Sequence, residues 1–238
     1  SMARAYLTEF DATEEDFAKV AVKNHQNGLL NPKAHLQKDI TIDDVMSSAV
    51  VASPLKLYDC CPFSDGASSV VLCSEKFAKA HGGDYVEVIG SGRGGSPAAL
   101  QGREHMTTIP STKIAAKAAY DMAGITAKDV DFAEVHDCFT IAEVVDTEDL
   151  GFFGKGQGIQ AIREDRTKLN SDISINPSGG LKSKGHPIGA TGVGQVVEVY
   201  DQLTGNAGAR TVKDAKIGLT HNFGATGASC AVHVFQSV

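Results

Sequence analysis

The chain lacks the excess of basic residues that nucleic-acid-binding proteins use. Its 238 residues include 22 Lys and Arg against 29 Asp and Glu, which gives a formal net charge of -7. Binding to a phosphate backbone requires a basic face that releases counterions. We therefore expect no nucleic-acid partner.

Long hydrophobic runs are absent as well. No apolar stretch approaches the length that crosses a bilayer, and the first residues lack the charged region and apolar core of a signal peptide. We expect a cytoplasmic protein without a membrane span. The opening Ser1-Met2 pair resembles a remnant of cloning, because a natural chain begins with its methionine.

Paired cysteines and paired metal ligands are missing too. There is no Cys-x-x-Cys motif, no pair of histidines has the spacing of ligands on a helix, and the number of cysteines is odd. These features favour reduced thiols and no metal site. The five cysteines are Cys60, Cys61, Cys73, Cys138 and Cys230.

What the chain does contain is a regular alternation of helical and strand patterns. Hydrophobic residues make up 42% of the sequence, which is enough for a substantial core. Strands that alternate with helices indicate a layered α/β fold, and Gly82-Gly83 suggests a domain boundary. The periodicity predicts helices capped at Thr13, Thr41 and Asp137, further helices over 75–81, 112–122 and 193–203, and strands over 69–73, 85–89, 131–135, 216–220 and 229–235.

The most unusual segment is the glycine-rich stretch over 176–192, which contains His186. Glycines permit close backbone approach, and the helix predicted to follow offers free N–H groups that can hold an anion or polarise a carbonyl. An isolated Gly-His-Pro is more often an ordinary turn with a solvated histidine. The density of glycines around His186 favours a functional loop.

His136 and Cys138 lie where a predicted strand gives way to a predicted helix. Open α/β sheets commonly carry their sites at this junction. A thiol near a helix N-terminus and histidines is suited to nucleophilic or acid/base chemistry. Taken alone, Cys138 would be interpreted as a structural thiol, but together with the His186 loop it is a candidate site residue.

A second glycine motif points to a different class of enzyme. Gly90 to Gly95 matches Gly-x-Gly-x-x-Gly directly after a predicted strand, as in an NAD-dependent dehydrogenase. No long helix is predicted to open there, and the expected ribose-binding acid is missing. The dinucleotide-binding alternative is therefore the weaker one.

The assembled motifs resemble those of the thiolase superfamily, and in particular thiolases of the sterol-carrier-protein type. The resemblance extends over nearly the whole chain. The segments that carry it are Cys60-Cys61-Pro62-Phe63-Ser64-Asp65-Gly66-Ala67, His136-Asp137-Cys138-Phe139, Gly156-Gln157-Gly158, Asn176-Pro177-Ser178-Gly179-Gly180 with Gly185-His186-Pro187, and His221-Asn222-Phe223-Gly224.

This resemblance implies an enzyme of lipid metabolism that condenses two acyl-CoA thioesters, such as acetyl-CoA, or cleaves a 3-ketoacyl-CoA. No metal or redox cofactor is implied. His186 would activate a nucleophilic cysteine and polarise a carbonyl, and His136 would help to hold the thioester oxyanion. Cys138 would move the α-proton, and the backbone N–H of Gly224 would join a second oxyanion hole.

Two departures from the commonest thiolase pattern point to the sterol-carrier-protein type. Asn222 stands where that pattern has a cysteine, and the segment around His136 replaces one with asparagine and glutamate. The same departures leave open a relative that performs retro-aldol cleavage of steroid side-chain CoA esters. Cys138 favours the thiolase.

The family fold implied by the resemblance has two similar α/β halves in five layers, with a loop domain. In that fold, 1–57 would end the loop domain, 58–83 would supply the last strands of the first half, and 84–238 would form the C-terminal domain. The segment with the family's nucleophilic cysteine has no counterpart here, and Cys60 and Cys61 do not replace it. We expect the chain alone to be inactive.

Two explanations for the missing counterpart remain open. The chain is either a fragment of a thiolase that is a homodimer or another homo-oligomer at full length, or a non-catalytic half-protein that pairs with a separate N-terminal chain. Candidates for contact with coenzyme A lie beside the glycine-rich loop: Ser178, Gly179, Lys182 and Lys184.

Overall fold

The computed structural model describes all 238 residues, which form nine α-helices and seven β-strands. The helices are α1 Met2–Glu9, α2 Glu14–Leu29, α3 Ile42–Ser47, α4 Glu75–His81, α5 Pro110–Ala123, α6 Thr140–Asp149, α7 Gly158–Arg163, α8 Gly180–Ser183 and α9 Thr191–Leu203. The strands are β1 Val50–Ala52, β2 Leu55–Lys56, β3 Val86–Gly95, β4 Phe132–Glu134, β5 Ser174–Ile175, β6 Ile217–Gly224 and β7 Ser229–Ser237.

A five-stranded mixed sheet forms the centre of the protein. Its strand order is β3-β7-β6-β4-β5. Strand β7 runs antiparallel to both β3 and β6, whereas β4 runs parallel to both β6 and β5. Strands β1 and β2 form a separate small hairpin.

Helices cover both faces of this sheet. Helix α5 packs on β3 and β7, and α9 packs on β6, β4 and β7. Neighbouring residues of β4 show the two faces, because Ala133 belongs to the core beneath α5 and Phe132 to the core that contains Val199 of α9. The predicted layered α/β fold, with a mixed sheet covered by helices, is confirmed.

A second apolar cluster lies among helices beside the sheet. Tyr6 of α1, Phe17 of α2, Val144 of α6 and Ile159 of α7 are all buried there. Helix α2 therefore packs on α6 and α7, and it also contacts α8. This cluster fixes α6, the helix that follows β4, and the short helix α7.

The predicted helix caps at Thr13 and Thr41 are confirmed. Each threonine hydroxyl accepts the N–H of the aspartate three residues later, and each aspartate accepts the threonine N–H in return. Helix α5 ends at Gly124 in the left-handed conformation, as predicted from the glycine stop. Helix α1, which includes Met2, and helix α7 were not predicted.

The predicted strand over 69–73 is wrong. These residues form no strand, and Val71 is 90% exposed. A short apolar run becomes a strand only when another strand satisfies its backbone groups, and no strand of this chain pairs with 69–73. Strands β3 and β6 are longer than predicted, because β3 continues through the glycine motif over 90–95 and β6 continues to Gly224.

The glycines of β3 allow a helix to lie unusually close to the strand. A Cβ atom on Gly90, Gly92 or Gly94 would come within 2.4, 1.9 and 2.0 Å, respectively, of a carbonyl oxygen of α5. The Gly-x-Gly-x-x-Gly motif therefore lies inside a strand and serves packing, whereas a dinucleotide site requires it in the turn before a helix. The structure argues against the NAD-binding alternative. No helix is both long and apolar enough to cross a membrane.

We predict that Gly92→Ala destabilises the protein by at least about 1–3 kcal/mol, because the new methyl group would overlap the backbone of Ala115 and force α5 away from the sheet. Gly95→Ala is the matched control on the same strand, since its nearest neighbour would be the oxygen of Ala228 at 3.8 Å. Urea unfolding of both variants tests this close packing. If the two variants were equally stable, β3 and α5 would not be packed this closely in solution.

Candidate active site

The candidate site forms where β4 and β6 end side by side. The two strands are parallel, so their carboxyl ends lie at the same edge of the sheet. The chain leaves β4 through a tight turn in which the Cys138 N–H donates to the His136 carbonyl at 2.8 Å. The end of β6 places Asn222, Phe223 and Gly224 beside this turn.

His136 is held between the end of β6 and the glycine-rich loop. Its Nδ1 is 3.0 Å from Oδ1 of Asn222. Its ring centroid is 4.7 Å from that of Phe223 and 5.0 Å from that of His186, and the two imidazole planes meet at 85°. The structure thus brings together two histidines that are 50 positions apart in the sequence. Gly224 lies two residues beyond Asn222 at the end of β6.

His186 enters the site from a loop that is anchored at both ends. The preceding Gly185 has a φ of 107°, a conformation that favours glycine. The His186 N–H donates to Oγ of Ser64 at 3.1 Å, and Nδ1 of its ring is 2.7 Å from Oγ1 of Thr191, the first residue of α9. The loop and helix start predicted around His186 are therefore present.

Asp137, predicted to cap the helix after β4, instead caps α8. Helix α6 has Phe139 at its N-cap position and no side-chain cap. The buried Asp137 carboxylate accepts the Leu181 N–H at 2.7 Å and the Asn24 side-chain amide at 2.8 Å. The free N–H groups at the start of α8 face the end of β4, and this is why Asp137 caps α8 and not α6. Asp137 thereby joins the His136 turn to the His186 segment.

The residues proposed to contact coenzyme A are turned inward. Ser178 is fully buried, and its Oγ donates to Oε2 of Glu134 at 2.6 Å. Nζ of Lys184 is 3.1 Å from the same oxygen. Lys182 is 1% exposed and donates to the Asp59 carbonyl. A Cβ on the buried Gly179 would overlap the backbone of Gly28.

These contacts revise the roles expected for Ser178, Gly179, Lys182 and Lys184. Their polar groups already have partners inside the protein, and three of the four residues are buried. A lysine that contacts a phosphate has to keep its ammonium group accessible. We therefore interpret the four residues as the frame of the His186 loop.

Four of the five thiols of the chain are held in their protonated form. Burial raises the pKa of Cys138 well above its ordinary value, and the nearby Lys182 ammonium opposes this only in part. Burial likewise raises the pKa of Cys60, Cys61 and Cys230. The Cys61 N–H donates to the Cys138 carbonyl at 3.0 Å, so these two segments lie side by side.

Both site histidines are neutral near neutral pH. Burial, assisted by the positive charge of a protonated His186, lowers the pKa of His136 to about 4, and the hydrogen bond to Asn222 opposes this shift only in part. Burial, together with the charge of Lys184, also lowers the pKa of His186. Neutral imidazoles can accept protons, so the arrangement suits proton transfer and the polarisation of a carbonyl.

Sequence reasoning identified the two histidines but missed the side chains that orient them. Asn222 was noted only as a departure from a motif, and Thr191 and Ser64 were not assigned a role. A threonine at a helix start and a serine in a loop have many ordinary uses. Only the packing of distant segments shows their contacts with His136 and His186.

Two protein-family models match this chain. The model described as "Thiolase, N-terminal domain" matches residues 1–76, and "Thiolase C-terminal domain-like" matches residues 92–237. The predicted domain boundary near Gly83 lies between the two matched ranges.

Curated relatives share this similarity over almost the whole chain. An acetyl-CoA acetyltransferase of Methanothermobacter thermautotrophicus is 46% identical over 235 residues, which are 99% of this chain and 61% of the relative. Human sterol carrier protein 2 is 37% identical over 242 residues, which are 94% of this chain and 42% of the relative. The chain thus spans about three fifths of the first relative and less of the second.

Solved structures share the fold. The "Ltp2-ChsH2(DUF35) aldolase" matches with a TM-score of 0.89 and 24% identity, over 99% of this chain and 62% of that one. A monomeric SCP2-thiolase like protein type 1 from Mycobacterium smegmatis matches with a TM-score of 0.73 and 14% identity, over 99% of this chain and 50% of that one.

We predict that Ser178→Ala lowers the free energy of unfolding by about 1.5–3 kcal/mol, because it removes a buried hydrogen bond to the Glu134 carboxylate. Ser171→Ala is the control. Ser171 is exposed and donates only to the nearby Lys168 carbonyl, so the change should stay within about 0.5 kcal/mol. Urea unfolding measures both. If Ser178→Ala kept its stability but bound coenzyme A more weakly, Ser178 would be a substrate contact after all.

Proposed function

Because the chain belongs to the thiolase superfamily, as an SCP2-type member, we propose that it supplies the acid/base and carbonyl-binding part of an acyl-CoA acyltransferase. The reaction is the Claisen condensation of two acyl-CoA thioesters, or its reverse, the cleavage of 3-ketoacyl-CoA by coenzyme A. The observation that carries this proposal is the perpendicular packing of His136 on His186, 5.0 Å apart, at the edge of the sheet.

His186 is the base for acyl transfer in this proposal. Its ring is oriented by Thr191, and its lowered pKa leaves a neutral imidazole that can take the proton of a thiol. The resulting thiolate attacks the thioester carbonyl, the coenzyme A sulfur leaves, and the imidazolium returns the proton to it. The same imidazolium can donate to the oxyanion that forms during the attack.

Cys138 handles the proton on carbon. In the cleavage direction, the nucleophilic thiolate attacks C3 of the 3-ketoacyl-CoA and takes over the acyl group, the bond between C2 and C3 breaks, and its electron pair remains on the acetyl-CoA enolate. That enolate takes a proton from the Cys138 thiol. Burial keeps this thiol protonated, which suits it to donate. Neither condensation nor cleavage involves a net oxidation or reduction, so the proposed reaction requires no redox cofactor.

The acceptor of the acyl group lies outside these 238 residues in our proposal. Burial holds Cys60, Cys61, Cys138 and Cys230 in the thiol form. Cys73 is exposed in the apolar run over 69–73, where it lines a cavity with Phe77 and Tyr200. A nucleophile for acyl transfer needs its thiolate. A segment or chain that provides one would complete the site.

Retro-aldol cleavage of an acyl-CoA ester is the second candidate. It requires no activated thiol, because this reaction forms no acyl-enzyme. A base removes the proton of the 3-hydroxyl group, the bond between C2 and C3 breaks, and the enolate is protonated as before. Cys138 and a base would be sufficient for this reaction, and no nucleophilic cysteine would take part.

We predict that the chain forms no stable acyl-enzyme when it is incubated with acetyl-CoA. None of its cysteines combines an accessible thiolate with a neighbouring base. The intact mass of the protein should remain unchanged, with iodoacetamide labelling of Cys73 as the control that an accessible thiol is detected. One acetyl group on a single cysteine would contradict the proposal that the acceptor lies elsewhere.

We also predict that the chain exchanges the methyl hydrogens of acetyl-CoA with deuterium in D₂O. Removal of a methyl hydrogen requires the thiolate of Cys138, so the exchange rate should rise with pH, and Cys138→Ala should lower it by about a hundredfold or more, because general acid/base groups contribute factors of this order. Cys73→Ala is the control, since that thiol is exposed and outside the site. Mass spectrometry of acetyl-CoA measures the exchange.

Exchange that is the same in Cys138→Ala and the unmodified chain would remove Cys138 from the mechanism. No exchange at all, in a chain that binds coenzyme A, would favour a non-catalytic half-protein. Products from a 3-ketoacyl-CoA or a 3-hydroxyacyl-CoA substrate, measured with the acyl acceptor supplied, would separate the thiolase from the aldolase.

A further inference from the structure

The orientation of one buried amide on α9 is fixed by two backbone carbonyls. Gln195 is fully buried, and its Nε2 lies 3.3 Å from the Val135 carbonyl oxygen and 3.5 Å from that of His221. A carbonyl oxygen can only accept a hydrogen bond. The reversed amide would place Oε1 against two other oxygens, so Nε2 faces the carbonyls and Oε1 faces Asn222.

The orientation of the Gln195 amide determines the orientation of the Asn222 amide. The Asn222 Nδ2 donates to Oε1 of Gln195, which can only accept. The Oδ1 atom of Asn222 must then point the other way, where it lies 3.0 Å from Nδ1 of His136. Because Oδ1 also can only accept, Nδ1 of His136 has to carry the hydrogen.

We propose that Gln195 and Asn222 form a positioning pair that fixes His136 as its Nδ1–H tautomer and leaves Nε2 at the site as a hydrogen-bond acceptor. No protein atom is hydrogen-bonded to this Nε2, and it is not one of the buried unpaired atoms. The nitrogen is therefore free to meet a substrate or a water molecule.

The tautomer changes what His136 can do in catalysis, and this consequence rests on the proposed function. The resemblance implied that His136 holds the thioester oxyanion. A bare nitrogen cannot donate to an oxyanion, so that role requires a water molecule between them that donates one hydrogen to Nε2 and the other to the oxygen. Burial keeps the ring neutral, with its pKa near 4, so a second ring proton is absent near neutral pH.

The protein contains an internal reference for this proposal. Nδ1 of the buried His25 is 3.0 Å from the Lys38 carbonyl oxygen, so His25 must also carry its hydrogen on Nδ1. Its contacts do not involve Gln195 or Asn222. The signals of His25 therefore report whether a variant keeps its fold and show what an Nδ1–H tautomer looks like in the same sample.

Nitrogen NMR of the full chain, with ¹⁵N-labelled histidine, tests the proposal directly. At neutral pH, His136 should show a protonated Nδ1 and an unprotonated Nε2, with its signals assigned through His136→Gln. In Gln195→Met, the Asn222 amide is free to turn, and the two nitrogen shifts of His136 should move towards each other while those of His25 stay unchanged.

A second variant covers the case in which Gln195→Met does not fold. Asn222→Asp keeps an acceptor at Nδ1 and adds a negative charge, so His136 should remain the Nδ1–H tautomer and protonate at a higher pH than in the unmodified chain. A protonated Nε2 in the unmodified chain would overturn the proposal. So would unchanged His136 shifts in a folded Gln195→Met, or an unchanged titration in Asn222→Asp.

These readouts do not depend on turnover. A chain that neither exchanges acetyl-CoA hydrogens nor transfers acyl groups would still show the proposed tautomer. Conversely, a wrong tautomer would leave the proposed acyl-CoA chemistry in place and would change only the role of His136. The two proposals can therefore fail separately.

Discussion

The site depends above all on the buried carboxylate of Asp137. It accepts the Leu181 N–H at the start of α8 and the side-chain amide of Asn24 from α2. Two segments that are distant in the sequence are thereby fixed to the turn after β4. A buried carboxylate is unfavourable unless it is fully hydrogen-bonded. Because Asp137 would lose hydrogen bonds inside the protein if α8 moved away, it holds the loop that carries His186 firmly in place.

The nearby ammonium groups of Lys182 and Lys23 favour this buried charge, whereas the carboxylate of Glu143 disfavours it and itself requires partners. Glu143 of α6 accepts from Lys23 at 2.5 Å and from the side-chain amides of Asn24 and Asn176 at 2.8 Å each. Removal of one member would leave an uncompensated charge in the interior, which is more damaging than the loss of an exposed ion pair. The segments around the two histidines therefore gain their rigidity from polar contacts that lie behind them, out of reach of the substrate.

Local patterns were sufficient to predict much of the fold, and packing explains where they failed. The capped start of α2 at Thr13 and the glycine end of α5 depend on neighbouring residues, which the sequence displays directly. The motif over 90–95 was ambiguous because close packing on a helix and close approach to a phosphate both require glycine. The run over 69–73 has the composition of a strand but no partner strand within this chain. His136 and His186 stood out by their motifs, whereas Asn222 and Gln195 act through contacts that no local pattern encodes.

The closeness of the two histidines limits how many protons the site can hold. With ring centroids 5.0 Å apart, a charge on His186 lowers the pKa of His136, and burial lowers both. Once His186 takes a proton from a thiol, a second proton on His136 is strongly disfavoured. The proton that moves on and off carbon therefore needs a separate carrier. In the proposed mechanism, the Cys138 thiol, which burial keeps protonated, meets that need without adding another positive charge to the site.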